Sequence, residues 1–312
     1  MAKKMINSTH IEGLLYEHKL EVRESGPNSK NPGTKFIMGT VDIATDDACT
    51  NIVSVHFTYV TATTAKGATN ATFTTLMNIV DGKYGTVMAN GKENAAKLRI
   101  DSALGLNEFY TDRNGQEELV STKRNEGGFV HIADSLNEDE NARNTFKCDM
   151  LITGVKEVEA DVEKGLPAKA IVRGAIFDFR GSLMPVEFSA VNPNAIKYFM
   201  GLDASNANPT FTCVWGRQVS ETIVKEIRTE SAFGEDEVRE VKNTRKDFVI
   251  TGASKEPYDW DDMSTLTANE VAEAVAARET YLATIKQRQE EYKASKNATP
   301  AAAAPSKTGF NF

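Results

Sequence analysis

Apolar and polar side chains alternate along the first part of the chain. Within residues 14–22, Leu14, Leu20 and Val22 share one parity, and mostly charged side chains occupy the other. An alternation with a period of two predicts a strand that is buried on one face. Residues 36–43 and 52–60 are rich in β-branched and aromatic side chains and predict a second and a third strand.

Residues 71–80 follow a different period. Their apolar side chains, Phe73, Leu76, Met77 and Val80, lie on one face only if the segment is a helix. A short helix is therefore predicted after the third strand.

The β pattern then returns and ends the first unit. Asn114 and Gly115 form a favoured two-residue turn, which predicts a β-hairpin. Residues 129–132 predict the last strand of this unit.

The same order of elements recurs in the second half of the chain. Residues 186–191 repeat the V-x-F-[S/T]-x-V pattern of residues 55–60, and residues 171–176 resemble residues 36–41. Residues 194–202 predict a helix at the equivalent place. We interpret these similarities as a duplicated module, and chance similarity between short β-rich segments is the alternative.

The pattern changes again after Pro257. Thr267 and Glu270 have the spacing of a capping box, which predicts the start of a helix that continues to about residue 293. One face of this predicted amphipathic helix carries Val271, Val275, Arg278, Leu282 and Ile285. From residue 295 the chain is rich in Ala, Pro, Ser and Lys, and it is predicted to be disordered.

Length and charge narrow the class of protein. A chain of 312 residues is long enough for two domains, each with its own core. Its net charge of −8 argues against a protein that coats phosphates through overall positive charge, although a local basic groove is compatible with an acidic protein. The three cysteines are far apart and fit a reducing compartment without disulfides. With no long apolar run and no apolar leader, we expect a cytoplasmic protein (host cytoplasm, if phage-encoded) that does not contact a membrane.

Enzyme motifs are missing from the sequence. The four histidines lie in separate segments without metal-ligand spacing. The sequence contains no phosphate-binding loop, dinucleotide fingerprint or nucleophile elbow. We therefore expect a protein that is not an enzyme and that holds no metal or cofactor.

The order strand, glycine-bearing strand, strand, short helix and two strands is that of an OB-fold, a small five-stranded barrel. Two such units and a flexible tail resemble the tandem OB-fold single-stranded-DNA-binding proteins of phage replication and recombination. The resemblance implies a mainly β protein with two tandem OB-like five-stranded barrels, a C-terminal helix and a disordered tail. The predicted boundaries are 1–140 for the first barrel, 141–258 for the second, 259–294 for the helix and 295–312 for the tail.

Single-stranded nucleic acid is bound by aromatic rings that stack on bases, next to cations that follow the backbone. Candidate residues of this kind are Phe36 and His56 in the first unit, and Arg173, Phe177, Phe179, Phe211, Trp215 and Arg217 in the second. The hairpin cations Arg113, Lys123, Arg124, Lys242, Arg245 and Lys246 are candidate phosphate ligands. The alternatives are that the rings fill a core and that the hairpin charges are only solvated.

These features predict sequence-independent binding of single-stranded DNA in replication or recombination. Phe310 and Phe312 are the candidate partner-binding residues through which the tail would recruit replication or recombination proteins. The alternatives are a structural or assembly protein of a viral particle with two β-barrels, and an acidic protein-binding adaptor. The sequence does not indicate the oligomeric state.

Overall fold

The computed structural model describes residues 5–113, 115–160, 167–229, 233, 237–260 and 266–298, without the side chains of 221–229, 237, 239–245 and 295–298. The strands are β1 Asn7–Glu24, β2 Lys35–Ala44, β3 Ile52–Thr61, β4 Lys97–Arg113, β5 Gln116–Ile132, β6 Asn144–Val158, β7 Lys169–Phe177, β8 Leu183–Ala190, β9 Thr210–Thr229 and β10 Glu237–Ala253. The helices are α1 Ala71–Val80, α2 Val87–Asn90, α3 Pro193–Met200 and α4 Ala268–Ala298, with 3-10 turns at Lys92–Asn94 and Glu140–Ala142.

The strands close into two rings of five. In the first ring the order is β1-β2-β3-β5-β4, and β4 returns to β1. In the second ring the order is β6-β7-β8-β10-β9, and β9 returns to β6. The third and fifth strands of each ring are parallel, and the other neighbours are antiparallel. With a helix between the third and fourth strands of each ring, this is the predicted OB-like connectivity, and the predicted fold class is confirmed.

The repeated V-x-F motif contributes to the core of both rings. Val55 and Phe57 of β3 are buried inside the first ring, and Val186 and Phe188 of β8 are buried inside the second. Alternate residues of these strands point inwards, because successive side chains of a strand lie on opposite faces.

The second strand of each unit carries a glycine where it approaches the first strand closely. A Cβ on Gly39 would lie 2.0 Å from the carbonyl oxygen of Lys19, and a Cβ on Gly174 would lie 2.1 Å from that of Leu151. Both carbonyls belong to the first strand of the ring. Each glycine therefore allows a close approach between the first and second strands.

The two rings are joined by pairing between one strand of each. The first residues of β1 pair antiparallel with the first residues of β6, with Thr9 opposite Phe146. Ile11 of β1 is buried in the core of the first ring, and Phe146 of β6 is buried in the core of the second. The interiors of both rings therefore lie on the same side of the sheet at this seam, and the other side is one continuous outer face.

The β4–β5 hairpin of the first ring packs against the second ring. Leu104 and Leu106 belong to the core of the second ring. The ammonium group of Lys123 lies 5.4 Å from the Phe188 ring centre and 5.2 Å from that of Phe248. The two rings are thus joined by more than the seam.

A buried amide pair adds a polar contact between the rings. Asn125 Nδ2 donates to Gln218 Oε1 over 2.8 Å, and Gln218 Nε2 donates back to Asn125 Oδ1 over 2.9 Å. Asn144 Nδ2 donates to the backbone carbonyl of Gln218 over 2.5 Å. These bonds satisfy polar groups at the junction, which would be costly to bury without partners.

Helix α4 begins at the predicted capping box. The backbone nitrogen of Thr267 donates to Glu270 Oε2 over 2.8 Å, and the backbone nitrogen of Glu270 donates to Thr267 Oγ1 over 3.3 Å. Ala274 is buried, whereas Val275, which the sequence placed on the packed face, is 43% exposed. Further along α4, Arg278 forms a buried bidentate ion pair with Glu108 of β4.

Candidate nucleic-acid interface

The outer face of β6 and β9 brings together one aromatic ring and two cations. Lys147 of β6 lies opposite Trp215 of β9, and Thr145 lies opposite Arg217. Cross-strand neighbours share a face, so these four side chains point away from the barrel core. Trp215 is 40% exposed.

A shallow cavity of about 700 Å³ lies over these residues. Its lining includes Asn141, Thr145, Lys147, Trp215, Arg217 and Thr251. The indole of Trp215 rests against Gly252, where an added Cβ would lie 2.3 Å from Trp215 Nε1. A side chain larger than that of glycine would therefore move the indole out of its present position.

The cations of this face are free of carboxylate partners. Within the described part of the chain, neither Lys147 nor Arg217 forms an ion pair. Both remain available for an anion, and Trp215 is the direct cross-strand neighbour of Lys147 and lies two positions from Arg217 on β9.

A pair of aromatic residues, Phe36 and Tyr59, lies on β2 and β3. The ring centres of Phe36 and Tyr59 are 4.6 Å apart, and Tyr59 is exposed. His56 also faces outwards, and its Nδ1 lies 3.0 Å from the carbonyl oxygen of Gly39. This hydrogen bond holds the imidazole against the backbone of the neighbouring strand β2.

The sequence assigned a stacking role to Phe177 and Phe211, and the structure corrects that assignment. Phe211 does share the outward parity of Trp215, as its strand pattern indicates. Both phenylalanines are nevertheless only 2% exposed, because they belong to an apolar cluster with Tyr258, Leu266 and Ala274. A base has no access to either ring.

The predicted role of Lys123 as a phosphate ligand also does not fit its position. Its ammonium group donates to the backbone carbonyl of Glu187 and lies over two phenylalanine rings. Burial lowers the pKa of Lys123, with Asp247 and Glu187 opposing the shift. This half-buried lysine of the first ring contacts the second ring.

Three further predicted cations have carboxylate partners. Arg124 pairs with Glu126, Arg173 lies 2.6 Å from Glu187 Oε1, and Arg113 lies 3.8 Å from Glu118 Oε2. Lys246 is exposed on β10. The backbones of Lys242 and Arg245 lie on β10, but their side chains lie outside the described residues, as do Phe310 and Phe312.

Phe179 is the most exposed of the described predicted aromatics. It is 90% exposed in the β7–β8 turn, with the Arg180 guanidinium 4.9 Å from its ring centre. It lines a different cavity, beside Tyr281 of α4, and the described residues do not connect it to the Trp215 face.

Sequence reasoning missed Lys147, Arg99 and Phe129 on the outer face and Tyr59 on β3. Phe129 alternates with the buried Val130, so its parity was a usable signal. Lys147 and Arg99 become candidates only through their cross-strand neighbours. Among the described residues, no group of three metal-ligating side chains is close enough to hold a metal ion, and no helix is long and apolar enough to span a membrane.

Comparison with known families gives one match that covers most of the chain. The family model YorF matches residues 5–288. The chain belongs to the YorF family. No curated protein has a significantly similar sequence.

Two solved structures resemble this YorF family member in outline. The wild-type single-stranded DNA binding protein from Thermus aquaticus aligns with 10% identity and a TM-score of 0.46, over 83% of this chain and 97% of its own. A deletion mutant (delta 228-252, R190A) of the same protein aligns with 10% identity and a TM-score of 0.44, over 83% and 98%. TM-scores below 0.5 do not establish a shared fold.

Proposed function

We propose that this protein binds single-stranded DNA without sequence preference, and that the outer face of β6 and β9 is its principal contact. The observation that supports the proposal is the combination of an exposed Trp215 with the unpaired cations Lys147 and Arg217 around one cavity. An exposed ring stacks on any base, and flanking cations bind the backbone phosphates. The preference for a single strand follows, because bases inside a duplex do not present their faces.

The OB-like barrels supply a suitable scaffold. OB-folds commonly bind oligonucleotides or oligosaccharides on the outer barrel surface. In this chain the β7–β8 surface of the second ring is partly covered, because Lys123 and the β4–β5 hairpin lie against it. The part of the outer surface of β6 and β9 around Lys147, Trp215 and Arg217 is open.

The test is a titration of fluorescently labelled oligo-dT of about 30 nucleotides, which suffices for two OB barrels at roughly 4–16 nucleotides each. Trp215→Ala is expected to weaken binding by about 1–3 kcal/mol, or roughly 5- to 150-fold. Lys147→Ala combined with Arg217→Ala is expected to weaken binding and to reduce the slope of log K against log salt by about 2.

A matched control removes two exposed cations elsewhere. Lys66 lies in the β3–α1 connection and Lys197 lies on α3, and both are exposed. The double variant Lys66→Ala/Lys197→Ala makes the same change in net charge and is expected to keep the salt slope of the wild type. Equal effects of the two double variants would contradict the proposed site, and no salt-dependent binding of oligo-dT by the wild type would contradict the function.

The finer part of the proposal is a role in replication or recombination, with recruitment of partner proteins through Phe310 and Phe312. Its support is the sequence alone, in which two aromatic residues follow an Ala- and Pro-rich spacer. Replacing both phenylalanines by Ala is expected to leave oligo-dT affinity unchanged and to abolish co-purification of replication proteins. Retention of those partners would contradict the recruitment role.

A further inference from the structure

The outer face of β6 and β9 continues across the seam onto the first ring. On β1, Ser8 lies opposite Lys147, and His10 lies opposite Thr145. His10 in turn lies opposite Asp101 of β4, and Asp101 lies opposite Phe129 of β5. Each pair is a cross-strand neighbour, so one register connects Arg217 with Phe129 over five adjacent strands, and Trp215 lies two positions before Arg217 on β9.

Phe129 is an exposed aromatic residue at the far end of this register. It is 70% exposed, although its strand neighbour Val130 is buried in the first core. The sheet is irregular beside it, with a register shift between Asp101 and Ala103. β-bulges of this kind re-aim side chains and are over-represented near binding sites.

A glycine opposite the bulge supports the same geometry. Gly128 has a φ of +118°, and a Cβ there would lie 2.3 Å from the carbonyl oxygen of Asp101. The close approach of β4 and β5 at this point requires a residue without a side chain. The backbone that presents Phe129 is therefore specified locally.

The face between the two rings carries cations as well as the carboxylates Glu12 and Asp101. Arg99 of β4 is exposed and has no ion pair among the described residues. The carboxylate of Asp101 is occupied by His10, whose Nδ1 lies 2.7 Å from Asp101 Oδ1. The face from β5 to β9 thus carries at least three cations that form no ion pair among the described residues: Arg99, Lys147 and Arg217.

We infer that Phe129 is a second base-stacking platform, and that one single strand crosses the seam from Trp215 to Phe129 roughly perpendicular to the β-strands. This inference rests on the proposed function. Four interstrand steps of about 4.8 Å separate β9 from β5, which puts the two platforms about 19 Å apart along the sheet. A short oligonucleotide occupies one platform, and a longer one occupies both.

The experiment compares affinities across a ladder of oligo-dT lengths for wild type, Phe129→Ala, Trp215→Ala and Phe109→Ala. Phe109 is the matched control, because it is an exposed phenylalanine of the same ring, on β4, away from the seam. All four proteins are first compared by thermal melting to establish that they are folded. Phe129 is largely solvent-exposed, so its truncation is expected to leave the melting temperature unchanged.

The expected result is a dependence of the Phe129 effect on length. Phe129→Ala leaves the affinity for the shortest bound oligonucleotides within about twofold of the wild type. It weakens binding of the longest by roughly 5- to 150-fold, the range for loss of one stacked base. Phe109→Ala has no effect at any length.

Two results would overturn the inference while leaving the proposed function intact. One is that Trp215→Ala weakens binding but Phe129→Ala matches Phe109→Ala at every length. The other is that Phe129→Ala weakens short and long oligonucleotides equally, because the second platform would then not be length-dependent. If the wild type binds no oligo-dT, the proposed function itself fails.

Discussion

The ion pair between Glu108 and Arg278 provides a quantitative test of how α4 is attached. The Glu108 side chain is 1% exposed and that of Arg278 is 12% exposed, so removal of one partner leaves the other charge largely out of water. Breaking a buried pair from one side costs about 3–5 kcal/mol, whereas replacing both partners by apolar residues is often neutral. Arg278→Met is therefore expected to lower the free energy of unfolding by about 3–5 kcal/mol.

The stability lost in Arg278→Met has a physical upper limit. If α4 leaves the β4–β5 hairpin, Glu108 regains water, so the loss cannot exceed the free energy that docks the helix. In that case the α4 amides exchange with solvent much faster than those of the barrels. Urea denaturation followed by circular dichroism measures the global loss, and hydrogen exchange of α4 distinguishes undocking from unfolding.

A double-mutant cycle completes the test. Glu108→Leu combined with Arg278→Met is expected to be more stable than Arg278→Met alone, with a coupling energy of at least about 2 kcal/mol. Glu117→Gln is the control, since it removes the exposed pairs with Lys286 and Lys293 of the same helix and is expected to have far less effect. Additive single effects, each the size of the control, would refute the role of the buried pair.

Three other outcomes are expected. Lys123→Met is expected to be more stable than wild type at neutral pH, because burial lowers the folded-state pKa of Lys123 and so disfavours its charged form. That advantage should shrink as pH rises through the lowered pKa towards 10.5, and urea titrations at several pH values would contradict this if the difference stayed constant. Gly252→Ala is expected to displace the Trp215 indole and weaken oligo-dT binding with little change in the salt slope, whereas an unchanged affinity would show that the seat of the ring is unimportant. Thr267→Ala removes the α4 cap and is expected to cost about 1 kcal/mol in urea denaturation, and a change below about 0.3 kcal/mol would count against the cap.

Local patterns in the sequence predicted the elements well. The helical spacing of residues 71–80 matches α1, and β4 ends at Arg113 and β5 begins at Gln116, where the hairpin was predicted. The capping box at Thr267 marks the start of α4. These features depend on neighbours within a few positions, and such neighbours are visible in the sequence.

Surface assignments failed where distant segments decide them. Strand parity correctly put Phe211 on the outer face with Trp215, but parity does not reveal which segment covers that face. Phe211 packs against the rings of Tyr258 and Trp260, nearly fifty positions later. Lys123 was expected at a solvent-exposed hairpin, and it is half-buried because that hairpin packs against the other ring. For both residues the predicted position on the strand is correct, but packing against distant segments determines how exposed the side chain is.

The pairing of β1 with β6 bears on whether either half of the chain is an independent unit. Residues Asn7–Ile11 pair with β6 on one edge, and Thr9, His10 and Ile11 also pair with β4 on the other. A polypeptide cut at the predicted 140/141 boundary would leave five residues of β1 with unsatisfied backbone groups, next to the apolar Leu104 and Leu106 without their packing partners. An exposed strand edge of this kind recruits another chain, which favours self-association.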